Sequence, residues 1–188
     1  MFLGCSSLST VDGNLSPLTN GSYMFYNCSN LSEFNSDLSS LTNGNYMFRG
    51  CSSLTSFNSD FGGSTRDVEC MYMFLGCNSL KTVDGNLSPL TNGTCMFYDC
   101  KNLNSFNSDL SSLTDGRNMF YNCKNLIKFE MSLKNLNNCA HMFRNCYELT
   151  KFNSDLSSLT DGRYMFYDCS ALTTFVSNFG DSTRADGT

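Results

Sequence analysis

Cysteine recurs in this chain at a fixed spacing, so thiol chemistry is the first to consider. The sequence contains eleven cysteines. A row of this kind can form disulfides, bind a soft metal ion or fill a core as small hydrophobic side chains. Eight cysteines follow one another at intervals of 23 residues, with a single interval of 26: Cys5, Cys28, Cys51, Cys77, Cys100, Cys123, Cys146 and Cys169.

We interpret this row as a reduced, structural ladder. Equivalent residues on stacked strands lie about 4.7–4.9 Å apart, which suits the Cα separation of a disulfide. Side chains in register point in parallel, however, whereas a disulfide needs converging Cβ atoms. Disulfides are therefore the alternative. Metal binding ranks below both, because the sequence has no Cys-x-x-Cys pair and a row of thiols does not form a tetrahedron.

Three further cysteines, Cys70, Cys95 and Cys139, lie outside the row. Each stands in a turn just before a repeated Met-Phe pair. Their odd number leaves at least one thiol unpaired within this set. Cys70 and Cys95 belong to adjacent copies of the repeat, so a disulfide between them is the second hypothesis for these thiols.

A row of Asn and Asp side chains is the second candidate for chemistry. Like charges stacked at strand spacing repel one another, and calcium would relieve this repulsion by binding their oxygens. Asn and Asp also close turns by bonding nearby backbone, and we favour that role here. We expect no other cofactor. The row comprises Asn14, Asp37, Asp60, Asn86, Asp109, Asp155 and Asn178.

Catalysis and nucleic-acid binding find little support in the sequence. His141 is the only histidine, and we interpret it as a turn residue and not as a catalytic base. Phosphate-binding signatures are missing, so we predict that the chain is not an enzyme. Its net charge of −5 argues against nucleic acid and anionic membrane surfaces, which attract clustered Lys and Arg. No apolar run reaches the length of a membrane span, so we expect no direct membrane insertion.

The elements that position these side chains are internal repeats. The repeated unit is Met-Phe-x-x-Cys-x-x-Leu-x-x-[Phe/Val], and a unit of about 23 residues must stack on its neighbours to bury its apolar side chains. We expect one solenoid over residues 1–188. Its eight coils begin at Met1, Met24, Met47, Met73, Met96, Met119, Met142 and Met165.

Each coil is predicted to contain one short helical segment and one short parallel strand. Met, Cys and Leu at positions 1, 5 and 8 have helical spacing. Alternation follows, so that Phe57 and Ser59 should face inward while Ser56, Asn58 and Asp60 face outward. The predicted fold class is therefore a leucine-rich-repeat-like stack of parallel strands.

The coils group into two blocks. Residues 73–93 nearly repeat residues 1–21, and both begin Met-Phe-Leu-Gly-Cys. Residues 61–66 and 179–184 share the pattern Phe-Gly-x-Ser-Thr-Arg. We therefore divide the chain into block one, residues 1–72 with three coils, and block two, residues 73–188 with five. Within the chain, the Phe-Gly-x-Ser-Thr-Arg segment that ends block one is followed by the Met-Phe-Leu-Gly-Cys segment that begins block two. This order predicts either a longer chain or head-to-tail stacking of copies.

The Met-Phe-x-x-Cys-x-x-Leu unit, as in residues 24–31, resembles the BspA-like leucine-rich repeats of bacterial and protist surface proteins. The resemblance covers the whole chain. It implies a curved parallel-strand solenoid at the cell surface or outside the cell, with a role in adhesion or protein binding. It brings no catalytic residues to this sequence.

Two functions follow from these observations. The first is a non-catalytic structural or adhesive protein that assembles with itself head to tail into a filament or belongs to a longer fibre. The alternative is a module that recognises a surface protein or glycan through its outward strand face, as an adhesin, receptor or phage-type fibre does. The sixth coil departs most from the others, so a binding patch is expected at Lys128, Glu130, Met131 and Lys134.

Overall fold

In a computed structural model the chain forms a solenoid of short parallel strands. The structure describes residues 1–63 and 66–180. Seven of the ten strands in the described residues have only two residues. The ten strands are β1 (Thr10–Val11), β2 (Glu33–Phe34), β3 (Ser56–Phe57), β4 (Val68–Glu69), β5 (Thr82–Val83), β6 (Leu90–Asn92), β7 (Ser105–Phe106), β8 (Lys128–Phe129), β9 (Lys151–Asp155) and β10 (Thr174–Asn178).

In the described residues every pair of strands is parallel, and all but one pair join equivalent positions of neighbouring coils. The β4–β6 pair contains a register shift between Val68 and Glu69. The sheets have the orders β1–β2, β3–β5–β7, β10–β9–β8 and β4–β6. Phe57 lies opposite Val83, and Phe129 lies opposite Phe152. A second row of parallel bridges joins the coils near position 20 of the unit, as between Asn20 and Asn43. This register confirms the predicted leucine-rich-repeat-like solenoid.

The strand side of each coil alternates as predicted. Phe57 and Ser59 are buried, whereas Ser56, Asn58 and Asp60 are exposed. The buried serines continue as a polar row beside the core, and the Ser59 hydroxyl donates to the Ser36 carbonyl at 2.7 Å. The Ser108 hydroxyl likewise bonds the Val83 carbonyl, whereas the hydroxyls of Ser36 and Ser154 are buried without a hydrogen-bond partner.

Consecutive turns replace the predicted helical segment. Backbone N–H groups bond three residues back, from Met24 to Gly21 and from Cys28 to Phe25, while Phe25 donates to Met47 in the next coil. Tyr23 and Asn27 both have φ of +57°, and a residue in the left-handed region interrupts an α-helix. The described residues contain no helix of the length and apolarity needed to cross a membrane.

Stacked phenylalanines form the centre of the core. The second residue of each unit is a phenylalanine, and neighbouring rings lie nearly parallel with centroids 5.3–5.6 Å apart. Phenylalanines of the strands meet these rings edge-on, as Phe106 meets Phe120 at 5.0 Å. Aromatic pairs prefer offset stacking and edge contacts, so the core becomes one continuous aromatic column.

The two Phe-Gly segments have the same backbone geometry. Gly62 has φ of +81° and Gly180 has φ of +70°, and each approaches a carbonyl of the preceding coil, Ser39 or Ser157. The Arg66 guanidinium also donates to the carbonyls of Ser39 and Phe61. Residues 181–184 of the second segment lie outside the described residues. The division into two blocks stays a prediction.

Gly62→Ala is expected to lower the free energy of unfolding by about 2 kcal/mol or more. A Cβ atom there would collide with the Ser39 carbonyl, and the left-handed backbone adds a cost of about 1–2 kcal/mol. Gly63→Ala is the matched control, because its Cβ meets nothing within 4 Å. Urea unfolding of both variants measures the difference, and equal losses would contradict this assignment.

Candidate functional site

The cysteine row lies inside the solenoid, and its thiols bond the backbone. Cys77 donates to the Phe48 carbonyl at 3.1 Å, and Cys123 donates to the Phe97 carbonyl at 3.2 Å. The same bond recurs in the other coils from Cys28 to Cys169. Cys5 in the first coil is exposed, and all eleven cysteines are unbridged.

Burial makes these thiols poor nucleophiles, because the thiolate is the reactive form. Burial raises the pKa of Cys51 to about 12 and the pKa of Cys169 to about 11. It also raises the pKa of Cys77, Cys100, Cys123 and Cys146. The row therefore supplies packing and hydrogen bonds.

The three cysteines outside the row are also buried and free. Cys70 and Cys139 occupy the position that holds glycine in other coils, and the Cys139 thiol lies 3.3 Å from the Met165 sulfur. Burial raises the pKa of Cys139 to about 12. Cys95 occupies the position that holds Tyr72 in the preceding coil and Asn118 in the following one. The hypothetical Cys70–Cys95 disulfide is not formed in the structure.

The Asn and Asp row closes turns. Both carboxylate oxygens of Asp37 accept bonds from Ser39, one from its backbone N–H and one from its hydroxyl, each at 2.8 Å. Asp60 accepts instead from the Asn86 backbone at 2.6 Å. Across residues 1–63 and 66–180, no cluster of three or more His, Cys, Asp or Glu could hold a metal ion. Calcium binding along this row stays a prediction.

Equivalent turns recur where Asn14, Asn86, Asp109, Asp155 and Asn178 stand. In each, the side-chain oxygen accepts the backbone N–H two residues further along the chain. These bonds hold the strand end in one conformation and occupy oxygens that a cation would need.

The sixth-coil patch forms an ion-pair cluster on the outward strand face. The Glu130 carboxylate lies 3.3 Å from the Lys128 ammonium and 2.5 Å from the Lys151 ammonium. These two lysines lower the pKa of Glu130, with the hydrogen bond from Lys151 as the larger cause. Met131 packs partly against the core and Lys134 is exposed. The structure thus adds Lys151 to the patch.

A tyrosine and arginine surface on the turn side was missed by the sequence analysis. Tyr23, Tyr46 and Tyr72 stack in one column at 4.7 and 4.9 Å. In the next column the rings of Tyr98 and Tyr121 stack at 4.6 Å. Tyrosine therefore recurs at two positions of the unit, directly before the Met-Phe pair and directly after it. This recurrence in the sequence could have identified the surface.

Arginine completes this turn-side surface. The Arg144 guanidinium lies over the rings of Tyr121 and Tyr167, 5.7 and 4.5 Å from their centroids. His141 stacks on Tyr164 at 5.1 Å, and its Nδ1 lies 3.5 Å from the Arg144 Nη1. Partial burial, followed by the charges of Arg144 and Arg163, lowers the pKa of His141. His141 has φ of +59° and lies in a turn, as predicted.

The described residues thus combine an inert core with outward rows of aromatic and charged side chains. Tyr, Trp and Arg are enriched where proteins contribute most to binding energy. Tyr164 and Tyr167 are 58% and 48% exposed, so this end of the turn-side surface offers the largest accessible aromatic area. The arrangement suits recognition of another molecule at a surface.

Comparison with protein families gives one match over most of the chain. The model for the BspA type leucine rich repeat region matches six copies, over residues 1–68 and 70–173. No curated protein matches the sequence significantly.

Comparison with solved structures gives matches at low sequence identity. A leucine rich cell surface protein from Faecalibacterium prausnitzii A2-165 is 18% identical, with a TM-score of 0.56 over 97% of this chain and 63% of its own. A leucine-rich repeat protein from Bacteroides ovatus ATCC 8483 is 18% identical, with a TM-score of 0.38 and coverage of 94% and 62%. TLR13 in complex with ssRNA13 is 12% identical, with a TM-score of 0.36 and coverage of 92% and 31%. The chain spans less than two thirds of each of these structures.

Proposed function

Because this chain belongs to the BspA-type leucine-rich repeat family, we propose that it is a non-catalytic structural and adhesive protein of the cell surface. The observation that carries this proposal is the division between an inert core and outward aromatic rows. Buried thiols and stacked phenylalanines hold the coils together, while tyrosine and arginine columns face the solvent. The similar leucine rich protein from Faecalibacterium prausnitzii is a cell surface protein, which supports the location.

The tyrosine and arginine columns support adhesion to another macromolecule. Neighbouring rings already hold one another in place, so little side-chain entropy is lost on binding. The Tyr167 ring and the Arg144 guanidinium are also held together before a partner arrives. A surface prepared in this way favours partners with apolar and hydrogen-bonding groups, such as proteins or glycans.

Arg144→Ala combined with Tyr167→Ala is expected to weaken adhesion at least about 30-fold, the loss typical of residues that dominate an interface. Beads coated with wild-type or variant protein would be tested against immobilised extracellular proteins and glycans, with bound fraction against ligand density as the measurement. Lys134→Ala, an exposed change in a turn of the sixth coil, is the control. Unchanged adhesion by the double variant would contradict a role for this surface.

The second candidate is recognition through the outward strand face. The specific observation in its favour is the cluster of Lys128, Glu130 and Lys151, which lies beside Ile127, a side chain 52% exposed. Under this alternative, Glu130→Lys and Lys134→Ala weaken adhesion in the bead assay, whereas the Arg144 and Tyr167 changes leave adhesion unchanged. The same experiment therefore separates the two functions.

The surface location has its own test. An antibody against the chain should label intact cells of the organism that produces it, and brief protease treatment of those cells should remove the label. Labelling that requires permeabilised cells would contradict the proposed location.

A further inference from the structure

A polar cavity opens where the strands of the second and third coils separate. In the described residues, β2 belongs to the sheet β1–β2 and β3 to the sheet β3–β5–β7, so these two neighbours are not paired. The rings of Phe34 and Phe57 stack here at 6.2 Å, against 5.8 and 5.4 Å for the equivalent pairs of the continuous sheet β10–β9–β8. The cavity has a volume of about 370 Å³, and small-molecule sites have about 300–1,000 Å³. It is lined by Asn35, Ser36, Asp37, Asn58, Ser59 and Asp60.

The sequence explains why the cavity lies between these two coils. Asn-Ser-Asp occurs at residues 35–37 and again at 58–60, and no other two adjacent coils both carry it. The sheets of the described residues also separate between β7 and β8. There, however, the Asn-Ser-Asp of residues 107–109 stands opposite Glu130 and Met131, which have longer side chains. Two consecutive sets of small polar residues therefore leave room between the second and third coils.

The cavity contains polar groups without partners among residues 1–63 and 66–180. Ser36 is 3% exposed, and its hydroxyl makes no hydrogen bond. In the fifth coil the Asn107 amide donates to the Asp84 carboxylate at 2.7 Å, whereas the exposed amides of Asn35 and Asn58 have no such bond in this part of the chain. A buried hydroxyl without a partner costs free energy, so a ligand that bonds it regains that cost.

Burial of a serine hydroxyl alone does not distinguish this place. The Ser154 hydroxyl also lacks a partner within the described ranges. There, however, β9 pairs with β10 over its whole length, and Ser154 lies opposite Ser177. Only at Ser36 does the unpartnered hydroxyl coincide with separated strands and with a cavity lined by amides and carboxylates.

The carboxylates of the cavity are fixed in position and keep capacity to accept hydrogen bonds. Asp37 accepts from the backbone N–H and the hydroxyl of Ser39, and Asp60 accepts from the Asn86 backbone N–H. A carboxylate has about four lone-pair sites, so both groups can accept further bonds. Two carboxylates repel an anion. Carboxylates beside amides and a hydroxyl suit a neutral ligand whose own groups both donate and accept.

We propose that this cavity binds one unit of a neutral saccharide through neighbouring hydroxyl groups. The carboxylates of Asp37 and Asp60 accept sugar hydroxyls, the amides of Asn35 and Asn58 donate to sugar oxygens, and the Ser36 hydroxyl bonds a sugar hydroxyl that enters the cavity. The inference rests on the adhesive function proposed above and adds to it a second site with a stated class of ligand.

The test titrates the full chain, labelled with nitrogen-15, with the methyl glycosides of glucose, galactose and mannose. NMR signals of the Asn35 and Asn58 side-chain amides should shift with at least one glycoside, with a dissociation constant of about 1–10 mM. Asn153 has the same position in an Asn-Ser-Asp of the paired strand β9, so its amide signal should stay in place. Methyl glucuronide, which is anionic, should bind more weakly than methyl glucoside.

Ser36→Ala separates ligand binding from folding. Removing an unpartnered hydroxyl should leave the melting temperature of the free protein unchanged or raise it, while sugar binding weakens about tenfold through the loss of a hydrogen bond. Asn35→Ala combined with Asn58→Ala should weaken binding at least as much. Asn153→Ala is the matched control and should bind sugar like the wild type.

The absence of a shift at Asn35 and Asn58 with all three glycosides would overturn the proposal, as would equal shifts at Asn153. Shifts caused by calcium chloride or putrescine but not by the glycosides would identify a cation site and overturn it too. Bead adhesion is measured in parallel. Adhesion that depends on Arg144 and Tyr167 while no glycoside binds would remove this inference and leave the adhesive function in place.

Discussion

Raising the pH from 9 to 10.5 under reducing conditions is expected to unfold most of the protein at urea concentrations that leave it folded at pH 8. The reason is the row of buried thiols. An unfolded cysteine releases its proton near pH 8.5–9, whereas burial raises the pKa of Cys51 and Cys139 to about 12 in the folded chain.

The direction of this effect follows from proton binding. The folded-state pKa of each buried thiol lies above the unfolded value, so its stabilising contribution is complete below about pH 9. Above that pH the unfolded chain releases protons that the folded chain keeps. The contribution is therefore lost progressively as the pH rises towards the folded-state pKa. Each thiol removes about 1.4 kcal/mol per pH unit.

Seven deeply buried thiols act together, so the slope is expected to approach about 10 kcal/mol per pH unit. The free energy of unfolding of a typical protein is only about 5–15 kcal/mol. A slope of this size therefore removes it over a small rise in pH. The thiols concerned are Cys51, Cys70, Cys77, Cys100, Cys123, Cys139 and Cys146.

Cys100→Ser isolates the contribution of one thiol. Serine keeps a donor for the Phe74 carbonyl but does not titrate in this range, so the slope above pH 9 should fall by about 1.4 kcal/mol per pH unit. Cys5→Ser changes an exposed thiol and should leave the slope as it is. Urea midpoints followed by circular dichroism between pH 7 and 10.5 measure both. A flat stability profile through pH 10 would contradict a buried, reduced row.

Phe120→Ala is expected to lower the free energy of unfolding by about 4 kcal/mol or more. The Phe120 ring is completely buried and stacks on Phe97 and Phe143, each at 5.3 Å. Phe106 and Phe129 meet it edge-on at 5.0 and 5.7 Å. Removing a buried phenylalanine costs about 3–5 kcal/mol, and each lost aromatic pair adds about 0.5–1.5 kcal/mol.

Phe2→Ala is the matched control for Phe120→Ala, because it makes the same change at the end of the same column. Phe2 is 42% exposed and stacks on Phe25 alone, at 5.4 Å. Its loss should be well below half of that of Phe120→Ala in dilute protein. Urea unfolding gives both values. Equal losses at the two positions would mean that the column does not stabilise the fold by stacking.

The strand side of the coil could be predicted from the sequence because the alternation of apolar and polar residues along a short segment determines it. Alternation at Phe57 and Ser59 determines which side chains face inward, and the 23-residue period sets which residues pair. The turn side was harder, since the spacing of Met, Cys and Leu suits both a helix and a series of three-residue turns. Position 4 of the unit held the missing information, because only Gly, Asn and Asp occur there and these residues tolerate left-handed backbone.

The surfaces depended on register between coils. Arg144 lies between Tyr121 and Tyr167, yet it is 23 residues from each of them, so no local pattern joins the three. Similarly, Lys151 joins Lys128 at Glu130 only because the two lysines occupy equivalent positions of adjacent coils. Such rows become visible when the sequence is aligned by coil and read across coils.

Alkylation of the native protein by iodoacetamide, followed by mass spectrometry of each cysteine, tests most directly whether one buried column of thiols runs through the chain. In dilute protein, Cys5 should react quickly, while Cys51, Cys77, Cys100, Cys123 and Cys146 react only after unfolding. Rapid native modification of Cys100 would contradict the buried column.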